Sequence, residues 1–287
     1  MTPLRQRFID DLRLRNFSPK TVKAYTAGVL RFARHFGRSP AELGAEEIRA
    51  YQIHLLQQHA TWSLFNQTVC ALRFLYRITL GQPDVVQAIP FGKKTKTLPS
   101  VLSPEEVVQL IEAARPGPER MMVQTAYACG LRISELLHLQ VGDIDSARMV
   151  IIVRHGKGRK GRVLPLSPRL LAELRDYWRQ YRPSTWFFPS RTADRPLNDA
   201  TVQGWFQKLS LRAGMRKRVT CHTLRHSFAT HLLEAGVDVA TLQKLLGHSN
   251  LRATVGYVHI STRQLQRMPS LLDLLVIPPA APTEGQP

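Results

Sequence analysis

The sequence is poor in cysteine and in acid. Its 287 residues include three cysteines, Cys70, Cys129 and Cys221. They are odd in number, far apart and set in helical or apolar contexts. A disulfide framework and a CxxC metal site are therefore unsupported, and buried thiols are the default reading. Asp and Glu total 21 against 40 Lys and Arg, a formal net charge of +19. No apolar run is long enough to span a bilayer. The opening "MTPLRQRFIDDLRLRN" is charged throughout and lacks the apolar core of a signal peptide, so the expected location is the cytoplasm. The Walker spacing GxxxxGK[ST] is missing, and no cluster of carboxylates suggests magnesium.

What is present is an excess of cations spread along the whole chain, with a pI near 10.6. That excess points to a nucleic acid partner, and its spread argues against one membrane-surface helix. Apolar residues make up 44% of the chain, as in a globular protein. The length suffices for one large core or for two domains.

The first ninety residues read as helices. In "SPKTVKAYTAGVLRFARHFG", Ser18 is placed to cap and Pro19 to occupy the first helical position. Val22, Tyr25, Val29, Leu30, Phe32 and Phe36 then recur with helical periodicity. "EEIRAYQIHLLQQ" and "SLFNQTVCALRFLYRI" repeat the pattern, so about four helices form a small bundle. Its outward faces are basic: Arg5, Arg7, Arg13, Arg15, Lys20, Lys23, Arg31 and Arg34. The stretch "GQPDVVQAIPFGKKTKTLPSVLSPEE" breaks the pattern and reads as an interdomain linker, assigned to residues 91–100. Its basic run, Lys93, Lys94 and Lys96, is either solvated or laid on a phosphate backbone.

A second domain follows, over residues 101–277. Ser103 and Glu106 form a capping box with Pro104 at the first helical position. "MVIIVRHGKGRKGRVLPLS" sets two β-branched runs around a Gly- and Lys-rich turn, hence a basic hairpin among helices. "CHTLRHSFATHLLEAG" and "DVATLQKLLGHS" are two further helices, each closed by Gly. Residues 278–287 read as a disordered tail. The fold class is therefore mainly α with a small antiparallel β-sheet.

Four pieces of this domain carry chemistry, and each alone has an ordinary explanation. Arg132 in "GLRISEL" lies between apolar residues at a helix start and needs a partner; an ion pair with Glu135 would satisfy it. Lys157 in "GKGRKGR" is a reactive cation or an exposed basic turn. In "HTLRH", His222 and Arg225 are three apart and share a helix face. His222 and His226, four apart, have the spacing of a zinc pair, but Thr223 stands where a zinc hydrolase has Glu, and no third ligand has clear spacing. No metal site is assigned, and His226 and His231 read as structural. "GHSNLRATVGYVH" adds His248 and Tyr257.

Taken together, two Arg, two His, one Lys and one Tyr can surround a single phosphodiester. Arg132 and Arg225 can clamp its non-bridging oxygens and stabilise a five-coordinate phosphorus. Tyr257 can be the nucleophile and Lys157 the acid for the leaving oxygen. A free phenol with a pKa of about 10 is ionised to roughly one part in a thousand at neutral pH, a handicap of ~4 kcal/mol that cationic surroundings reduce. The chemistry so read needs no metal and no cofactor.

The order Arg132, Lys157, His222, Arg225, His248, Tyr257 resembles the tyrosine recombinase (phage integrase) family, closest to Xer-type recombinases and related integrases. The resemblance covers nearly the whole chain. It implies that residues 1–90 are a SAM-like core-binding bundle and residues 101–277 an α/β catalytic domain. It implies a site-specific recombinase working on double-stranded DNA, without ATP, as a homotetramer or heterotetramer on two sites. Arg132 and Arg225 would activate the phosphate, Lys157 would protonate the 5′-hydroxyl, His222 would assist proton transfer and His248 would bind a non-bridging oxygen. Tyr257 would form a 3′-phosphotyrosyl bond, later attacked by a partner strand through a Holliday junction. The linker Lys93, Lys94 and Lys96, and Arg159, Lys160 and Arg162 of the hairpin, are the expected DNA contacts. The segment "STRQLQRMPSLLDLL" departs from a short Xer tail, resembles integrases of insertion elements, and packs either on its own domain or on a neighbouring subunit. A strand-nicking topoisomerase, a non-catalytic DNA binder and a metal-dependent nuclease are the competing readings.

Overall fold

The computed structural model describes residues 2–87, 89–92, 100–154, 161–192 and 194–247. The chain divides between residues 97 and 98 into two compact units. Each has its own apolar core.

The first unit is helical. Its long elements are α1 (Pro3–Leu14), α2 (Pro19–Phe36), α3 (Ala45–Gln57) and α4 (Trp62–Phe74). Side-chain caps fix their starts. Thr2, Ser18 and Thr61 accept from the backbone N–H three residues on, and Pro3 and Pro19 open α1 and α2. Helix α2 stops at Gly37, whose φ of 63° suits a residue without a side chain. Helix α4 runs on into one π-helical turn, Leu75–Thr79. Phe8, Leu12, Phe32, Ile48, Tyr51, Phe65, Val69 and Leu72 are buried together. The eight basic residues named above are all exposed.

Two polar details organise this unit. The Tyr76 hydroxyl is buried 2.8 Å from the Pro40 carbonyl and 2.9 Å from the Leu43 carbonyl, and burial raises its pKa. Chain end and helices are also clamped together. Asn66 donates to the Gly92 carbonyl at 3.2 Å and accepts from its N–H at 3.0 Å. Gln52 donates to the Pro90 carbonyl, and the Arg73 guanidinium lies 4.3 Å above the Phe91 ring. Phe91 and Gly92, read from sequence as linker, are thus held on α3 and α4. Lys93, Lys94 and Lys96 lie outside the described residues.

The second unit begins with α5 (Pro104–Ala113), α6 (Pro118–Cys129) and α7 (Ile133–Leu137). The capping box of Ser103 and Glu106 is formed, with bonds of 3.2 and 2.8 Å. A three-stranded antiparallel sheet follows: β1 (Ile144–Asp145), β2 (Val150–Val153) and β3 (Arg162–Pro165). The β2–β3 register pairs Val150 with Pro165 and Val153 with Arg162, so the expected hairpin is present. Strand β1 was not legible, because two residues are too short to show a period of two. Helices α8 (Pro168–Tyr181), α9 (Asp199–Arg212), α10 (Cys221–Glu234) and α11 (Val239–Leu246) complete the described fold. The core is Leu102, Leu110, Met122, Ala126, Leu136, Ile151, Leu164, Phe188 and Leu224, with their neighbours. Among the described residues no helix is long and apolar enough to cross a membrane.

Replacing Tyr76 by Phe removes the buried hydroxyl that faces the Pro40 and Leu43 carbonyls. We expect a loss of about 1–2 kcal/mol. For a unit of this size that lowers its unfolding temperature by roughly 4–8 °C per kcal/mol, as read by circular dichroism. An unchanged melting curve would show that the hydroxyl does not brace the bundle.

Candidate active site

The site grows from the break between α6 and α7. Helix α6 ends at Gly130 in the left-handed region, φ 56°. Helix α10 packs directly on that glycine: an added Cβ would meet the Phe228 ring at 2.3 Å. Close approach lets the first turn and a half of α10 bond to the break itself. Arg225 Nη1 donates to the Gly130 carbonyl at 2.6 Å, and the Cys221 thiol to the Leu131 carbonyl at 3.4 Å. "GLRISEL" and "HTLRH", ninety residues apart in sequence, are joined in this way.

Arg132 caps α7, and Glu135 closes the cap by accepting the Arg132 N–H at 2.9 Å. The Glu135 side chain is 1% exposed and meets three guanidiniums. Arg132 Nη1 lies 2.6 Å from Oε1. Arg162 binds with both Nη1 and Nη2, each at 2.8 Å. Arg225 Nη1 stands 3.7 Å from Oε2. Desolvation by itself would raise the carboxyl pKa. Hydrogen bonds from Arg162 and from the Arg132 backbone, with the Arg162 charge, overcome that and hold it at about 2. One carboxylate among three guanidiniums leaves a surplus of two positive charges.

The same three arginines converge on the C-terminus of α11. Arg162 Nε donates to the Leu245 carbonyl at 2.6 Å, and Arg225 Nη2 to the Leu246 carbonyl at 2.6 Å. Arg132 Nη2 stands 3.4 Å from the Gly247 carbonyl. These are carbonyls that a helix end leaves without intrahelical partners, at the negative end of its dipole. Gly247 closes the helix with φ 61°, and a Cβ there would press on Arg162 Cδ at 3.1 Å.

His222 lies in the first turn of α10, exposed, with its ring 4.2 Å from that of His226. Partial desolvation, then the charges of Arg225 and Arg132, hold its pKa below the usual imidazole value. At neutral pH it is therefore a neutral ring beside two cations, able to accept a proton. Burial pushes the thiols of Cys129 and Cys221 up to about 12, so neither is a ready nucleophile at neutral pH. Among the described residues no group of three or more His, Cys, Asp or Glu is arranged for a metal ion.

Of the residues singled out from sequence, the structure brings Arg132, His222 and Arg225 together. Arg162, expected to contact DNA, is instead an inner member of the cluster, with a side chain only 7% exposed. The reason is strand alternation: Val163 and Pro165 are exposed, while Leu164 is buried beneath them and Arg162 faces the same way two positions earlier. That period was the available signal. Lys157, Arg159, Lys160, His248 and Tyr257 lie outside the described residues.

Residues 100–264 match the phage integrase family, and residues 4–84 match the phage integrase N-terminal SAM-like domain. The chain belongs to the phage integrase family. A putative integrase/recombinase, y4qK, of Sinorhizobium fredii is 43% identical over all of this chain and 94% of its own length. Tyrosine recombinase XerA of Thermococcus kodakarensis is 34% identical over 91% of this chain and 92% of its own. In fold, a lambda integrase fragment, solved as a dimer on a core site, superposes with a TM-score of 0.74 at 20% identity. That match covers 93% of this chain and 97% of the fragment. Members of the family are DNA strand-exchange enzymes that act through a phosphotyrosine and need neither metal nor ATP. This phage integrase is one of them, a site-specific recombinase.

The carboxylate of Glu135 makes a prediction about acid. Its folded pKa of about 2 lies below the ordinary 4.5. The stability it supplies is present above pH 4.5 and is lost as pH falls toward 2. Glu135→Gln should cost about 3–5 kcal/mol at neutral pH, because buried guanidiniums lose their counter-charge. It should also flatten the decline between pH 4.5 and 2. Urea unfolding of both proteins across that range reads the difference; parallel pH profiles would contradict it.

Proposed function

We propose that this integrase cleaves one strand of duplex DNA with Tyr257 and rejoins it to a partner strand, using the arginine cluster as its phosphate clamp. The observation that carries the reading is the surplus charge gathered at Glu135 with His222 beside it. Arg132, with 23% of its side chain exposed, is the open guanidinium of the cluster and binds a non-bridging oxygen. Arg225, beneath it, adds its charge from a water-poor setting where that charge counts most.

In the proposed step, Tyr257 Oη forms a bond to phosphorus as the P–O5′ bond breaks. The phenolic proton passes to His222, and Lys157 gives a proton to the departing 5′-oxygen. His248 donates to a non-bridging oxygen. The reverse attack, by a 5′-hydroxyl of the partner strand, returns the tyrosine. Bond energy is kept in the phosphotyrosyl linkage. Residues 1–92 form the core-binding domain, the stretch from there to 100 a basic linker with Lys93, Lys94 and Lys96 near phosphates, and 101–277 the catalytic domain. Arg159 and Lys160 extend the contact from the hairpin. The working assembly is a tetramer on two sites, in the cytoplasm and bound to the nucleoid, serving integration or recombination of a mobile element or chromosome.

The test uses nicked duplexes randomised through the cleavage region, from which the short downstream fragment carrying the new 5′-hydroxyl diffuses away after attack. Wild-type protein should accumulate a covalent adduct, and sequencing the trapped DNA returns its site. Tyr257→Phe should bind the same DNA and form no adduct. An adduct with that variant would remove Tyr257 from the role.

A further inference from the structure

Arg162 has a place in the cluster that neither a DNA contact nor a simple ion pair explains. A carboxylate offers about four acceptor positions. All four on Glu135 are filled: two by Arg132, through its N–H and Nη1, and two by Arg162, through Nη1 and Nη2. Arg225 Nη1 is held beyond hydrogen-bond reach of the same carboxylate, at 3.7 Å. Its two terminal nitrogens donate to backbone carbonyls instead. We propose that Arg162 is a positioning residue for strand cleavage: by occupying both oxygens of Glu135, it keeps that carboxylate from capturing the guanidinium of Arg225. The proposal rests on the reading of Arg132 and Arg225 as the phosphate clamp.

The geometry supports a fixed rather than an adaptable role. Arg162 is gripped on a third side by the Leu245 carbonyl, and Gly247 leaves room for its stem. Every guanidinium nitrogen has a protein partner. With Arg162 removed, two acceptor sites on Glu135 open, and Arg225 needs to move by less than 1 Å to reach hydrogen-bond distance of one of them. A shift on that scale displaces one of the two charges of the clamp, and misplacement by about 1 Å near a reacting centre costs about 10²-fold in rate. Lysine cannot replace the fork, because its single ammonium cannot span both oxygens and the Leu245 carbonyl.

The experiment uses full-length protein and the nicked duplex recovered by trapping with wild type. Arg162→Lys should bind it with unchanged affinity and an unchanged slope of log affinity against log salt. A lost phosphate contact would instead lower that slope by about 1. Its single-turnover cleavage should fall about 10²-fold. On a duplex whose scissile phosphate is a methylphosphonate, which lacks the negative charge the clamp serves, the deficit should shrink to a few-fold. Should Arg162→Lys fail to fold by circular dichroism, Arg162→Gln replaces it. Its amide can occupy only one Glu135 oxygen, so the same cleavage deficit, unchanged salt slope and smaller deficit on the methylphosphonate are expected.

Wild-type cleavage by Arg162→Lys, an equal deficit on both duplexes, or a lowered salt slope overturns the role assigned to Arg162. Absence of any adduct with wild-type protein is a different result: it overturns the reading of the cluster as a clamp.

Discussion

A buried carboxylate facing the open end of a helix is the constraint on which the catalytic unit is built. Glu135 and the three carbonyls Leu245, Leu246 and Gly247 form an electronegative frame, and Arg132, Arg162 and Arg225 are set between its sides. Burying a guanidinium costs several kcal/mol unless its donors are met. Here they are met by backbone oxygens and by one anion, which satisfies the hydrogen bonds without cancelling the charge. The result is a surplus of cation held in place before any phosphate arrives. Preorganised charge of this kind is what phosphoryl transfer asks of a protein.

The frame also explains why distant pieces of the chain must fold together. Gly130 lets α10 approach the α6–α7 break, which brings Arg225 onto the Gly130 carbonyl and His222 near Arg132. Strand β3 contributes Arg162 at its first residue, five positions after Lys157 in the chain. Helix α11 contributes its last carbonyls, just before His248 in the chain. In sequence, the described members of the cluster therefore adjoin the residues proposed as acid and nucleophile. The first unit follows a separate logic, with its outward cations on α1 and α2 and a buried hydroxyl at Tyr76.

Much of this was legible in the amino-acid sequence. Ser18, Pro19, Ser103 and Glu106 mark helix starts because capping is local, and the spacing of Val22, Val29 and Phe32 reports a helix face. Arg132, His222 and Arg225 were legible as a candidate set because their types and order fit one phosphodiester, and the structure brings them together. The ion pair of Arg132 with Glu135 was legible too, as a structural explanation competing with a catalytic one. The structure shows that the pairing leaves Arg132 partly open, so the two are compatible. What could not be read were contacts made by backbone. Nothing in the residues of α11 says that its final carbonyls receive three arginines, and nothing in "PFG" says that Asn66 will hold Gly92. Arg162 looked like one more cation in a basic turn, because charge suggested solvent more strongly than strand alternation suggested burial.

The role proposed for this charge cluster is covalent chemistry at one tyrosine. The direct measurement is mass spectrometry of the trapped protein–DNA adduct after nuclease and trypsin digestion. We expect the residual nucleotide on the peptide spanning residues 253–263, attached through its 3′-phosphate to Tyr257. A nucleotide on any other peptide, or one attached through its 5′-phosphate, would rule out that role for Tyr257.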